Sequence, residues 1–216
     1  MRYIETFINH PIYSIIIGVA LLLSLILYLV SIRKQKDFAK TAIAASLSGA
    51  LSLVLSLAVC FAVSQLFSTE KLVYRSVFSI FYTVLLFPFF AQIFKKTFAK
   101  SFDINGVTPY VLLAIFIARI GCSLEGCCQG TIYAATIEEL LCLTGFVLIK
   151  SGKLKITFNQ FYIGYMLWRF VAEFFKESYH IELIGVLSLV QYVAIFAILI
   201  FSIQLIKSKE IKNEKK

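Results

Sequence analysis

The chain has 216 residues, of which 60% are apolar and 15% charged, and a formal net charge of +9. So apolar a composition excludes an ordinary soluble domain, and long unbroken apolar runs exclude a membrane β-barrel, whose strands alternate. The expected fold class is all-α, a polytopic membrane protein forming one integral domain over residues 1–216.

Residues 1–11, MRYIETFINHP, lack a basic start and a small-residue cleavage site, so the first apolar run is expected to stay as an anchor. Seven spans are expected, at about 11–31, 42–67, 74–94, 105–121, 134–149, 158–177 and 183–206, each near the length that crosses hydrocarbon about 30 Å thick. Basic residues cluster after the first, third and fifth spans and in the tail. They include Arg33, Lys34, Lys36 and Lys40, then Lys95, Lys96 and Lys100, then Lys150, Lys153 and Lys155. The positive-inside rule then puts the N-terminus outside, and residues 207–216 become a basic cytoplasmic tail. The same rule accounts for the net charge. No basic patch interleaved with aromatics points to nucleic acid, so none is expected as a partner.

The second span, rich in alanine and serine, suits close helix packing. Cys60 and Cys142 lie in apolar runs and read as small buried hydrophobes.

The fourth span ends in the stretch 119–130, RIGCSLEGCCQG. It holds Arg119, Gly121, Cys122, Gly126, Cys127, Cys128 and Gly130. Glycines at this density fit a turn that approaches a ligand closely. A guanidinium at the end of a membrane helix needs an anionic or polar partner, or must snorkel to the headgroups. The cysteines lack a second ligand pair and a neighbouring histidine, so no metal site is expected. A disulfide from Cys122 to Cys127 or Cys128 and a thiolate beside Arg119 both remain open.

Two further charged places follow. Glu138 and Glu139 open the fifth span, where they either complement the helix N-terminus or pair with a cation such as Arg119. In the sixth span Tyr165, Arg169, Glu173 and Lys176 share one helical face through spacings of four and three. The plain reading is an internal ion pair between Arg169 and Glu173. The richer reading is that Arg119 and Arg169, on separate helices, clamp a phosphodiester, whose oxygens guanidinium binds in a bidentate way.

At these residues the chain resembles the prolipoprotein diacylglyceryl transferase family. The resemblance rests on Arg119-Ile120-Gly121 with Gly126 and Gly130, on Pro109 before them, and on Tyr165, Arg169, Phe170, Glu173 and Lys176. It extends to Ser188 and Gln191 at the last span, and aligns Glu139 with an acid of the family. Cys122 and Cys127 stand where better-known members have asparagine and glutamate, and Tyr82 lies nearest the place of a family histidine. The resemblance implies a multi-pass enzyme of the bacterial cytoplasmic membrane. Such an enzyme transfers a diacylglyceryl group from phosphatidylglycerol to the lipobox cysteine thiol of a prolipoprotein, without a metal or organic cofactor. It further implies catalytic roles for Arg119, Arg169, Glu173 and Tyr82. Lipid and signal-peptide contacts would come from Gly121, Cys122, Gly126, Cys127, Cys128, Gly130, Glu139, Tyr165 and Lys176. The alternatives are a non-catalytic or thiol-redox membrane protein, and a transporter of lipid or a small molecule on the same scaffold.

Overall fold

A computed structural model of the chain describes residues 11–66, 80–97, 99–125, 132–175, 182–184 and 187–213. Seven α-helices form among them: α1 (Pro11–Ile32), α2 (Phe38–Leu66), α3 (Ile80–Thr97), α4 (Ile104–Glu125), α5 (Ile132–Lys150), α6 (Phe158–Glu173) and α7 (Leu189–Asn213). Strands β1 (Glu182–Ile184) and β2 (Leu187–Ser188) pair antiparallel just before α7. Among the described residues the regular structure is thus helical apart from this short pair. Four helices, α1, α2, α4 and α7, are long and apolar enough to cross a membrane. Shortness sets α6 apart, at 16 residues. Near its end α3 carries Lys95 and Lys96, and α5 carries Glu138, Glu139 and Lys150.

The centre of the bundle is α4. Of its stretch Ile104–Leu124, 61% is buried within the protein, against 28%, 33% and 22% for the apolar stretches of α1, α2 and α7. It packs closely along α1 and α5 and touches α3 and α6, while α2 lies on α3 and α7 lies on α6. Gly145 of α5 faces Leu112 of α4 where the two helices pack. A Cβ there would sit 3.1 Å from Leu112 Cδ1, tighter than side chains normally pack. After α5 the chain reverses through Gly152, whose φ of +73° is the left-handed conformation that glycine adopts without a Cβ penalty.

Side chains tie the helix ends together. Thr157 and Gln160 form a reciprocal capping box at the start of α6. Beside it, Asn105 Oδ1 at the start of α4 accepts from Phe158 N at 2.8 Å. The N-termini of α4 and α6 therefore meet. From that junction Arg119 lies about 21 Å up α4 and Arg169 about 17 Å up α6, at ~1.5 Å per residue. The two arginines reach the same end of the bundle because both helices start from one floor. Tyr162 Oη donates to Val84 O and fixes α6 against α3. Ser188 and Gln191 form a second reciprocal cap, at the start of α7, and Gln191 Nε2 donates to Phe170 O at 3.2 Å.

Two apolar clusters fill the bundle. One, around Phe81, Ile115, Tyr162, Tyr165 and Met166, lies beneath the arginines. The other, around Tyr28, Phe102, Val107 and Tyr110, packs the opposite end, where Lys150 Nζ donates to Tyr110 Oη at 2.8 Å.

Two expectations are corrected. The fourth helix does not give way to a glycine turn after Gly121: α4 continues through Cys122 to Glu125. A helical glycine costs roughly 1 kcal/mol relative to alanine, which burial of the α4 face offsets. The stretch expected to open the last span at residue 183 pairs as β1 and β2, and α7 starts at Leu189. The apolar stretch of α7 ends at Ile206, the expected limit of the span, and the helix itself runs on to Asn213.

Candidate functional site

Four ionised side chains are buried together at the end of the bundle reached by α4 and α6. Arg119, Arg169, Glu138 and Glu173 are 7%, 6%, 1% and 2% exposed, respectively. Ions buried this deeply persist only when paired and hydrogen-bonded, and the geometry supplies both. Glu138 Oε2 accepts from Arg119 Nη2 at 2.8 Å, from Arg169 Nη1 at 3.3 Å and from Trp168 Nε1 at 3.1 Å. Arg169 Nη2 also lies 3.9 Å from Glu173 Oε2, one helical turn away. Among the described residues the cluster sets two guanidinium groups against two carboxyl groups.

Each member is placed by its own helix. Arg119 comes from α4, Glu138 from the second turn of α5, and Trp168, Arg169 and Glu173 from the last turns of α6. The aromatic floor belongs to α3 and α6. The Arg169 guanidinium stands 5.5 Å from the centroid of the Phe81 ring, within cation–π range, and Tyr165 is buried and stacks on Phe161. Arg169 Nε is buried with no hydrogen-bond partner among the described residues. Continuation of α4 puts Cys122 one turn above Arg119, with its sulfur 3.7 Å from Arg119 Nη1.

The expected site residues separate into three groups. The structure brings together Arg119, Arg169, Glu173 and Cys122, and sets Tyr165 within the electrostatic reach of Glu138, Arg119 and Arg169. Tyr82, half-buried on α3, is within reach of Glu173 and Arg169. Its neighbour Phe81, however, is the ring that faces the guanidinium. Gly121 is buried in α4, on the turn above Arg119. Glu139 stands apart from the arginines. It is half-buried and accepts from Ser123 Oγ at 2.8 Å. Gly126, Cys127, Cys128, Gly130 and Lys176 lie outside the described residues, and with them the other half of the expected disulfide.

Two residues of the cluster escaped the sequence reading as site residues. Glu138 was legible only as half of an acidic pair. Because successive helical residues point about 100° apart, the two meet different parts of α4: Glu138 meets Arg119 and Glu139 meets Ser123. Trp168 had a signal of its own. It is the single tryptophan of the chain, it adjoins Arg169, and an indole N–H near a core usually finds an acceptor.

No family model, curated protein or solved structure matches the chain. What the site does must therefore come from its own chemistry. Two cations from separate helices, with an indole N–H beside them, aim donors at one buried point. Such an arrangement binds an anionic oxygen in a poorly hydrated place, where fixed donors are strongest.

Proposed function

We propose that the chain is a phosphatidylglycerol-dependent diacylglyceryl transferase of the bacterial cytoplasmic membrane, acting on the lipobox cysteine of a prolipoprotein. It crosses the membrane seven times, α1 to α7, with its N-terminus outside, and the arginine cluster lies at the outer leaflet. The observation that carries the reading is the meeting of Arg119 and Arg169, from different helices, at one carboxylate oxygen, at 2.8 and 3.3 Å. Donors that reach a common carboxylate oxygen also reach a common phosphate oxygen. The capping geometry of Ser188 and Gln191 gives the resemblance at those positions a structural sense: they anchor α7 to the arginine helix.

In the reaction the thiolate sulfur of the acceptor attacks the glyceryl carbon of the lipid. The new S–C bond forms as the C–O bond to phosphate breaks, and its electron pair leaves on that oxygen as glycerol phosphate. Arg119 and Arg169 hold the phosphate while this charge grows. The thiol must lose its proton to become the nucleophile, and Glu173, beside Arg169, takes it. Tyr82 and Tyr165 flank the arginine cluster, and the glycine- and cysteine-rich stretch that follows Arg119 meets the substrate peptide.

The test is expression in cells depleted of their own transferase, with intact-mass measurement of a reporter prolipoprotein. The wild-type chain adds one diacylglyceryl group. Arg119→Ala and Arg169→Ala each lower the yield about 100-fold or more, the usual consequence of losing one transition-state donor, while still inserting. Wild-type yield from either variant defeats the assignment, and lipid moved between leaflets without adduct points to a transporter.

One observation favours a second reading, a thiol-redox protein. The Cys122 sulfur adjoins Arg119, and a nearby cation favours thiolate. On that reading, thiol labelling of Cys122, Cys127 and Cys128 changes with reductant. Labelling indifferent to reductant removes it.

A further inference from the structure

We propose that Glu138 is a tethered substitute for the lipid phosphate, occupying an anion subsite formed by Arg119 Nη2, Arg169 Nη1 and Trp168 Nε1, and that the arriving headgroup exchanges with it. This inference rests on the transferase reading and adds to it a residue and a step. The three donors lie 2.8, 3.3 and 3.1 Å from a single oxygen. So dense a convergence is more than one internal ion pair requires, and it is the pattern by which N–H groups surround a phosphate oxygen.

Competition for the same donors drives the exchange. Arg119 Nη2, Arg169 Nη1 and Trp168 Nε1 all point at one oxygen of Glu138. A phosphate oxygen cannot take that place while the carboxylate holds it, because two anions at one buried point repel. One of them must leave. Glu173 sits on the same helix as Arg169, one turn away, and stays beside it through any movement of α6. Glu138 belongs to another helix and is the carboxylate free to part from both arginines. Its position allows this. Ile137 before it is 46% exposed, and Glu139 after it is half-buried. Glu138 is thus flanked by residues at the edge of the protein, and in the exchange its carboxylate turns from the arginines toward that edge. In the empty site the arginines keep a counter-ion. In the loaded site the lipid supplies it.

The single tryptophan donates to the same oxygen, so the chain contains its own reporter. The experiment titrates the detergent-solubilised full chain with vesicles of phosphatidylglycerol and, separately, of phosphatidylcholine. Trp168 emission and bound lipid are both measured, for wild type and Glu138→Gln. Exchange predicts a saturable emission change with phosphatidylglycerol and none with phosphatidylcholine. It also predicts that Glu138→Gln binds phosphatidylglycerol about tenfold more tightly, because a competing charged acceptor is gone. Should that variant fail to insert, Glu138→Asp, which withdraws the carboxylate by one methylene, is titrated in its place with the same expected direction. Lipid that binds without changing Trp168 emission, or that binds the variant no more tightly, overturns the exchange and leaves the transferase reading standing wherever the reporter is still lipidated. Absence of phosphatidylglycerol binding in every protein removes both.

Discussion

Two neighbouring glutamates show how much one residue of helical phase decides. Glu138 and Glu139 look alike in the sequence, and the resemblance to the transferase family aligned the second with the family acid. Yet it is Glu138 that turns into the bundle and meets both arginines, while Glu139 meets the exposed Ser123 of α4. The consequence for stability is unequal. Glu138→Ala leaves two buried guanidiniums short of an anion, and removing one partner of a buried pair costs about 3–5 kcal/mol. Glu139→Ala breaks a hydrogen bond to an exposed serine, worth about 1 kcal/mol. Thermal unfolding of the solubilised chain should therefore separate the two variants clearly, with Glu138→Ala much the less stable. Equal melting temperatures contradict the geometry. At this scale the sequence revealed which residue types carry the site, and left the choice between adjacent positions to packing, because a shift of one residue moves a side chain about 100° around its helix.

At the scale of elements, the helices were largely legible and their ends were not. Long apolar runs announce α1, α2 and α7, and glycine, proline and charge mark most of the boundaries. The glycines after Arg119 spoke for a turn, but burial of the α4 face overrode that local preference and carried the helix to Glu125. Glu182 to Ser188 read as the opening of a helix because it is short and apolar, a composition that strands and buried helices share. The site depends most on the contact between α4 and α5, which brings Glu138 within 2.8 Å of Arg119. Gly145 against Leu112 sets the spacing. Gly145→Val should force the helices apart and destabilise the protein by about 1–3 kcal/mol, as overpacking does. Leu112→Ala, which makes room, should recover much of the melting temperature in the double variant. Additive losses in the double variant would falsify this account of the contact.

For the whole molecule, the proposed seven crossings make an experimental prediction about sidedness. Reporter fusions at residues 36, 100, 153 and 216 should be active only as cytoplasmic reporters, and fusions at residues 70, 128 and 180 only as exported ones. A single reversal among these positions breaks the topology. Composition and loop charge carry this expectation from the sequence. What no sequence pattern carried is the tie between Asn105 and the start of α6, because a lone asparagine before a glycine looks like an ordinary turn residue. That hydrogen bond makes the fold a measuring device. It sets a common origin from which two separate helices count upward, so their arginines arrive at the same end of the bundle. The lengths between origin and arginine are therefore constrained as tightly as the arginines themselves. One residue inserted into α4 between Asn105 and Arg119 lifts the guanidinium by only ~1.5 Å, yet swings it ~100° about the axis. The change that disarms such a protein need not touch a charged residue at all.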